Sequence, residues 1–283
     1  MGKEEAITFV VFARDESRRI PYLLRNLGGY GGVLVMLDDR TRDDTAAEAR
    51  KFGARVELFQ HPGWTEGAET VALVEKLAKT DWLYWAYVDE LLTKSLLEKM
   101  AMLSRQDNYR AVWMWRKNYN YGGVKLDDGY TLRFFKKGAI DFMGNQIGRF
   151  GKIAVPEDQV LYLPRGEKYA VHHFSTYDVS KFEAAHGKYS TEEAKANLRL
   201  GRHFSGLKLV GKPIYFFLKY MIVGGAWRWG WRGLIITAQY CFYFFNIQAK
   251  MWEIENNVTV ESMEKTYDSM KDKLLSDFDE EKK

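Results

Sequence analysis

One cysteine in 283 residues, Cys241, rules out an intrachain disulfide framework. It sits in an apolar run, which assigns it to packing in a reduced compartment and not to thiol chemistry. Proline is scarce too: the chain has 5, where average usage of about 5% would give roughly 14, so long uninterrupted elements are expected. No G-x-G-x-x-G joins the first apolar run to the first helical pattern, where FARDESRR stands, and no G-x-x-x-x-G-K-[ST] occurs, which argues against a dinucleotide or P-loop site. The start of the chain puts acids before a short apolar run, the reverse of a secretory signal, and Ala6 breaks the myristoylation pattern. The longest uncharged run, Gly233 to Ala249, has 17 residues and contains Gln239, Asn246 and Gln248, so a spanning helix is not expected.

The residues present describe a globular chain. Hydrophobic residues make up 46% and charged residues 28%, and the length suits one large domain or two small ones with a core that needs no metal or disulfide. Charge is uneven. Residues 181 to 250 carry 11 Lys and Arg against 3 Glu, a local +8, and the remainder is −4. From Val260 onward 5 Lys face 8 Asp and Glu. An anionic partner would be met by the basic segment.

The first 90 residues alternate short apolar runs with helical patterns, the signature of β-α-β units around a parallel sheet. Strands are expected at Ile7 to Ala13, Gly32 to Leu37, Arg55 to Phe59 and Trp82 to Val88, with helices at Ser17 to Leu27, Asp44 to Phe52 and Glu66 to Lys79. After a helix from Leu92 to Arg105, Ala111 to Arg116 and Thr131 to Phe135 read as a hairpin-like pair around a turn from Asn118 to Asp128, so a smaller antiparallel portion should close one side of the sheet. Ser190 and Glu193 form a capping-box pattern opening a further helix. Pro213 at a first helical position and Gly224 after a last one bracket IYFFLKYMIV. Val260, Met263, Tyr267, Met270 and Leu274 recur at helical spacing in an amphipathic terminal helix. We divide the chain into a domain of residues 1–205 and a helical extension of residues 206–283.

Ligands of open α/β sheets bind outside the carboxyl ends of the strands. Acidic pairs come after three of these strands: Asp15-Glu16, Asp38-Asp39 and Asp89-Glu90. Each pair alone reads as a helix cap. Three together on one rim repel unless a cation or a set of sugar hydroxyls lies between them, which points to a nucleotide held by acids with its diphosphate on a divalent ion.

At these residues the sequence resembles the family 2 glycosyltransferases of GT-A fold, particularly the bacterial lipopolysaccharide-core and related membrane-surface transferases. The family's Asn-Glu-Glu after the first strand is matched here by Asp15-Glu16-Ser17, and its Asp-Ser/Gly-Ser-x-Asp-x-Thr loop by Asp38 through Thr45. Gly53-Ala54-Arg55-Val56, the strand end Tyr87-Val88-Asp89-Glu90, Leu132-Arg133-Phe134-Phe135 and His173-Phe174 come next in family order. The resemblance covers about residues 7 to 255 and implies an α/β fold with a mostly parallel sheet flanked by helices, carrying a C-terminal membrane-proximal helical extension. It implies an inverting transfer of a sugar from a nucleoside diphosphate to a glycan or lipid-linked acceptor. Asp38 would then accept from the nucleotide base, with Asp15, Asp39, Tyr87 and Ala13 lining the donor site and Glu16 reaching the ribose. Asp89 would ligate Mn2+ or Mg2+, with His173 as a further ligand or phosphate contact.

Two departures accompany the match. Tyr87 stands where the family places the first acid of Asp-x-Asp, and Gln146-Ile147-Gly148-Arg149 stand where close relatives carry a His-Glu pair. The nearest literal counterpart of the family's base motif is Pro156-Glu157-Asp158, which makes Glu157 and Asp158 the candidate bases, with surface ion pairing as the alternative. A non-catalytic domain of the same fold that binds a glycan or a membrane is the rival reading. The basic, aromatic segment reads either as packing or as an interfacial belt facing an anionic, cytoplasmic membrane surface, with Lys212, Lys219, Trp227, Arg228, Trp229 and Arg232 towards lipid and Gly233 to Ala249 against the sheet domain. No nucleic-acid reader motif accompanies it. A homo-oligomer is left open.

Overall fold

A computed structural model describes residues 6–60, 65–126, 128–143 and 150–280. Gln146 to Arg149 lie outside the described residues. The chain begins with β1 (Ile7–Ala13), α1 (Ile20–Leu27), β2 (Gly32–Asp38), α2 (Thr45–Lys51), β3 (Arg55–Phe59), α3 (Ala68–Leu77) and β4 (Trp82–Tyr87). β1 pairs in parallel with β2 and β4, and β2 with β3. All of β1 is buried, because successive side chains point to opposite faces and both faces are covered. Phe9, Val11, Trp82 and Tyr84 pack on the face of α1. Val10, Phe12, Leu83 and Trp85 pack on the face of α3.

Beyond β4 come β5 (Glu90–Leu92), α4 (Lys94–Leu103), β6 (Ala111–Asn120), β7 (Val124–Lys125), β8 (Gly129–Lys136), β9 (Ile140–Asp141), β10 (Lys152–Ile153), β11 (Val160–Tyr162) and β12 (Ala170–Thr176). The main sheet runs β3-β2-β1-β4-β8-β6-β12-β5, with β7 and β11 pairing β6, and β9 and β10 form a separate ribbon. The expected antiparallel strand is present but inserted in the middle: β8 runs antiparallel between β4 and β6. Two reversals restore direction, so β6 ends on the same rim as β1, β2 and β4. β6 also continues four residues past its expected end, to Asn120, because it has β7, β8, β11 and β12 as partners.

The remainder is helical: α5 (Val179–Arg199), α6 (Gly206–Leu218), α7 (Trp231–Glu255) and α8 (Val260–Glu280), with a π turn at Lys219–Val223 and a 3-10 turn at Ala226–Trp229. Three expectations are corrected. α5 starts before Ser190, at a cap in which Asp178 accepts from the Lys181 amide at 2.7 Å. Ser190 is instead a buried mid-helix residue that, with Gly187 O and Thr191 Oγ1, accepts from Lys250 Nζ of α7. Pro213 lies inside α6, which begins about two turns earlier at the Ser205 cap. The Gly233 to Ala249 stretch packs on α5 and α6, as Phe216 stacking on Phe244 at 3.6 Å shows. It meets the sheet region near Tyr121, Val124 and Leu126. Gly233 lets the start of α7 approach the 3-10 turn, since a Cβ there would lie 1.8 Å from the Ala226 carbonyl oxygen.

Candidate active site

The rim formed by the carboxyl ends of β1, β2 and β4 carries the acidic pairs, and loop hydrogen bonds lock two of them together. Asp15 has φ +54°, a left-handed conformation that Asp tolerates better than most residues. From there its Oδ1 accepts from the Arg42 amide at 2.8 Å, tying the turn after β1 to the loop after β2. The Glu16 amide donates to Thr45 Oγ1 at 2.7 Å, and the Ser17 amide donates to Asp43 Oδ2 at 2.9 Å. Asp43 also accepts from the Thr45 amide and hydroxyl. Burial of Asp43 opposes ionisation, yet these donors from Thr45 and Ser17 lower its pKa from 3.8 to about 2. The Asp38-to-Thr45 segment is thus a self-bonded loop, which explains its pattern of short acidic and hydroxyl side chains.

Asp38 and Asp39 separate in role. Asp38 is buried, and its Oδ1 and Oδ2 accept from Arg40 Nε at 2.9 Å and Nη2 at 2.7 Å, with the Arg40 amide also on Oδ1. The Arg40 bonds hold its carboxyl far below the usual range. Asp39 is exposed beside it, 4.0 Å from Arg40 Nε. Glu16 is bidentate to Arg19 at 2.5 and 2.7 Å, and burial raises its pKa against that pairing. Ala13 is buried beneath the loops.

At the end of β4, Asp89 Oδ2 lies 3.5 Å from His173 Nε2 on β12. Two backbone contacts set this approach: β12 pairs β5 with His173 opposite Glu90, and the Phe174 amide donates to Asp89 O at 2.8 Å. On its other side, His173 Nδ1 is 2.8 Å from Asn118 Oδ1 at the end of β6. With that oxygen accepting from Nδ1–H, the ring is oriented so that Nε2 faces Asp89, as outer partners orient ligating histidines. Burial works against ionisation of Asp89, but His173 and Arg19 hold its pKa below the ordinary value. His172 points to the opposite face, where it meets Tyr119 and Glu167, so the two histidines are not equivalent.

Tyr87, in the place of the family's first acid, keeps its proton: burial drives its pKa up. Its hydroxyl donates to Glu66 Oε1 from the loop before α3, and Thr65 Oγ1 lies 3.0 Å away. The Arg133 guanidinium stacks over the Tyr87 ring at 4.4 Å and approaches Glu66 Oε1 at 3.8 Å. Glu90 is fully buried, and its charge adds to burial in raising the pKa of Tyr84.

Glu157 and Asp158 are not brought to this rim, which corrects the reading of them as bases. They form a 3-10 turn leading into β11, whose Val160 is opposite Ala111 at the start of β6. Ala111 is in turn level with Phe135 and so with Leu83 near the start of β4. The length of β4, about 20 Å at strand rise, separates that edge from Asp89. Residues at the rim that pattern reading missed are Glu66, Asn118, Arg40 and Arg133. Of these, Arg40 and Arg133 lay within matched motifs, and Glu66 and Asn118 did not. Among the described residues no group of three or more His, Cys, Asp or Glu could hold a metal ion; Asp89 and His173 form a pair.

No family model matches the sequence. It is 22% identical over 280 residues to an uncharacterized glycosyltransferase of Rickettsia felis, covering 94% of this chain and 97% of that one. It is 24% identical over 228 residues to LpsC of Rhizobium meliloti, a lipopolysaccharide core biosynthesis glycosyltransferase, covering 78% of this chain and 82% of the relative. The fold matches the mannosyltransferase PcManGT from Pyrobaculum calidifontis, solved with GDP-Man and Mn2+, with a TM-score of 0.50, 11% identity and 88% of each chain covered. With the sheet order and the acid-lined rim, these likenesses make the chain a glycosyltransferase of GT-A fold that resembles the lipopolysaccharide-core type.

Proposed function

We propose that the chain is an inverting glycosyltransferase that moves a sugar from a nucleoside diphosphate to a hydroxyl of a glycan or lipid-linked acceptor. The observation that carries the reading is the Asp89–His173 pair, oriented by Asn118 at the rim where β1, β2 and β4 end. One carboxylate oxygen and one imidazole nitrogen suit Mn2+, and hard cations at phosphate sites take only one or two protein ligands and complete their shell from phosphate and water. The residues present therefore fit such an ion, which when bound offsets charge developing on the departing diphosphate. Asp39, exposed beside the loop, accepts from the nucleotide base without rearrangement. Asp38 anchors the loop, since Arg40 already fills its carboxylate. The reading is tested by release of nucleoside diphosphate from a panel of sugar nucleotides.

The proposal extends to where the enzyme works: peripherally, on the cytoplasmic face of a membrane. Among the described residues no helix is long and apolar enough to cross one. What supports surface attachment is α6, which buries none of its residues and leaves Leu207, Val210, Ile214 and Leu218 exposed. Ile222, Val223, Trp227 and Trp231 continue that surface, and Lys208, Lys212, Lys219, Arg228 and Arg232 are interleaved in the chain. Apolar insertion with about 1 kcal/mol per basic residue at an anionic leaflet gives reversible, salt-sensitive attachment. Sedimentation with phosphatidylglycerol vesicles should pull the protein down at low salt and release it at high salt. Equal recovery in the supernatant with anionic and neutral vesicles would refute the placement.

A further inference from the structure

We infer that α8 is a dimerisation element that pairs antiparallel with α8 of a second copy of this chain, an inference independent of the chemistry assigned to the rim. Val260, Met263, Tyr267, Met270 and Leu274 repeat at spacings of 3 and 4, the a and d positions of a heptad seam. All but Met263 are exposed, and among the described residues none of the buried apolar clusters includes a residue of α8. An amphipathic helix draws most of its stability from covering its apolar stripe, so this stripe calls for a partner. An anionic membrane is a poor one. Up to Leu275, α8 carries Glu261, Glu264, Asp268 and Asp272 against Lys265, Lys271 and Lys273, whereas the only charges of α6 are Lys208 and Lys212.

The charges beside the seam select the partner and the register. Glu264 and Lys271 both occupy e positions, and Lys271 Nζ lies 3.7 Å from Glu264 Oε2 across two turns, so the two line one edge of the stripe. Parallel pairing sets e positions against g positions, here Glu264 against Thr259 and Lys271 against Thr266, and forms no ion pair. Antiparallel pairing sets e against e. With Tyr267 layered on Met270 of the partner subunit and Met263 on Leu274 of the partner subunit, Glu264 meets the partner's Lys271, and Lys271 meets the partner's Glu264. A slip of one heptad one way sets Glu264 against Glu264, and the other way Lys271 against Lys271. Of these registers only the first is attractive. It is self-complementary, a two-fold contact that closes at a dimer. The seam is short, so the association is reversible and depends on concentration.

The test is sedimentation velocity of the full chain over a concentration series without lipid, with thermal melting as the check on folding. The wild type should pass from monomer to dimer. Tyr267→Glu puts a charge into a central layer and should leave only monomer, with a cooperative melt retained. Lys271→Glu and Glu264→Lys should each weaken the dimer about tenfold, since each turns two attractive contacts repulsive. The double variant, Glu264→Lys with Lys271→Glu, should restore the wild-type dissociation constant. Monomer at every wild-type concentration would overturn the proposal, and so would a dimer that Tyr267→Glu leaves intact. Single charge variants that weaken the dimer without rescue by the double variant would overturn the antiparallel register.

Discussion

Replacing Asp89 with Ala is expected to lower turnover by about 10³-fold and to abolish any dependence on Mn2+ or Mg2+. Cation stabilisation of a leaving diphosphate is worth several kcal/mol, and each 1.36 kcal/mol is a factor of ten. The fold should persist, because the bond that aligns β12 uses the Asp89 carbonyl and not its carboxylate. Asn118→Ala should be milder. It leaves both ligands in place but frees the His173 ring to rotate, and losing such an outer partner typically costs 10- to 100-fold. Steady-state kinetics across a Mn2+ titration distinguish the two. Turnover of Asp89→Ala within tenfold of wild type would remove the carboxylate from the mechanism.

The second large effect separates neighbouring residues. Asp39→Ala should weaken UDP or GDP binding by about 10- to 100-fold, the value of one charge-assisted hydrogen bond of roughly 1.5–3 kcal/mol, with little change in melting because the side chain is exposed. Asp38→Ala should act through the fold, since its carboxylate is buried against Arg40. The same groups set the pH dependence. Asp38 and Asp43 titrate lower in the folded chain than in the unfolded one, so the stability they confer is fully present above the ordinary value near 3.8. It is lost as pH falls through the folded values, which for Asp43 is about 2. Melting tracked from pH 5 to pH 2 should drop steeply in the wild type and less in Asp38→Ala. Equal slopes would show that the loop does not carry the acid sensitivity.

How much of the fold and site was legible in the sequence depended on how local the determinant was. β1 was legible to the residue because it is a continuous apolar run bounded by charge, and β3 because Val56 and Leu58 alternate with charged Arg55 and Glu57 after Gly53. The acids at the ends of β1, β2 and β4 could be placed on one rim from topology alone. The capping-box pattern at Ser190 misled because Asp178 caps the helix three turns earlier, and a hydroxyl that could cap is used to hold Lys250. Glu157 and Asp158 matched a motif by residue type, but motif matching carries no register, and the pairing of β11 with the start of β6 sends them to the far edge. Glu66 and Asn118 carry no local signal. Their contacts to Tyr87 and His173 span 21 and 55 residues and depend on how the loop before α3 meets β4 and on the pairing of β12 with β6.

The central claim is that sugar nucleotides are cleaved at the Asp89–His173 rim, and the most direct measurement is nucleoside diphosphate release by the purified chain from UDP- and GDP-linked sugars with Mn2+ present. The account predicts release above the uncatalysed rate from at least one donor, lost in Asp89→Ala and retained, at reduced rate, in Asn118→Ala. No release from any donor, together with no binding of UDP or GDP by calorimetry, would contradict it.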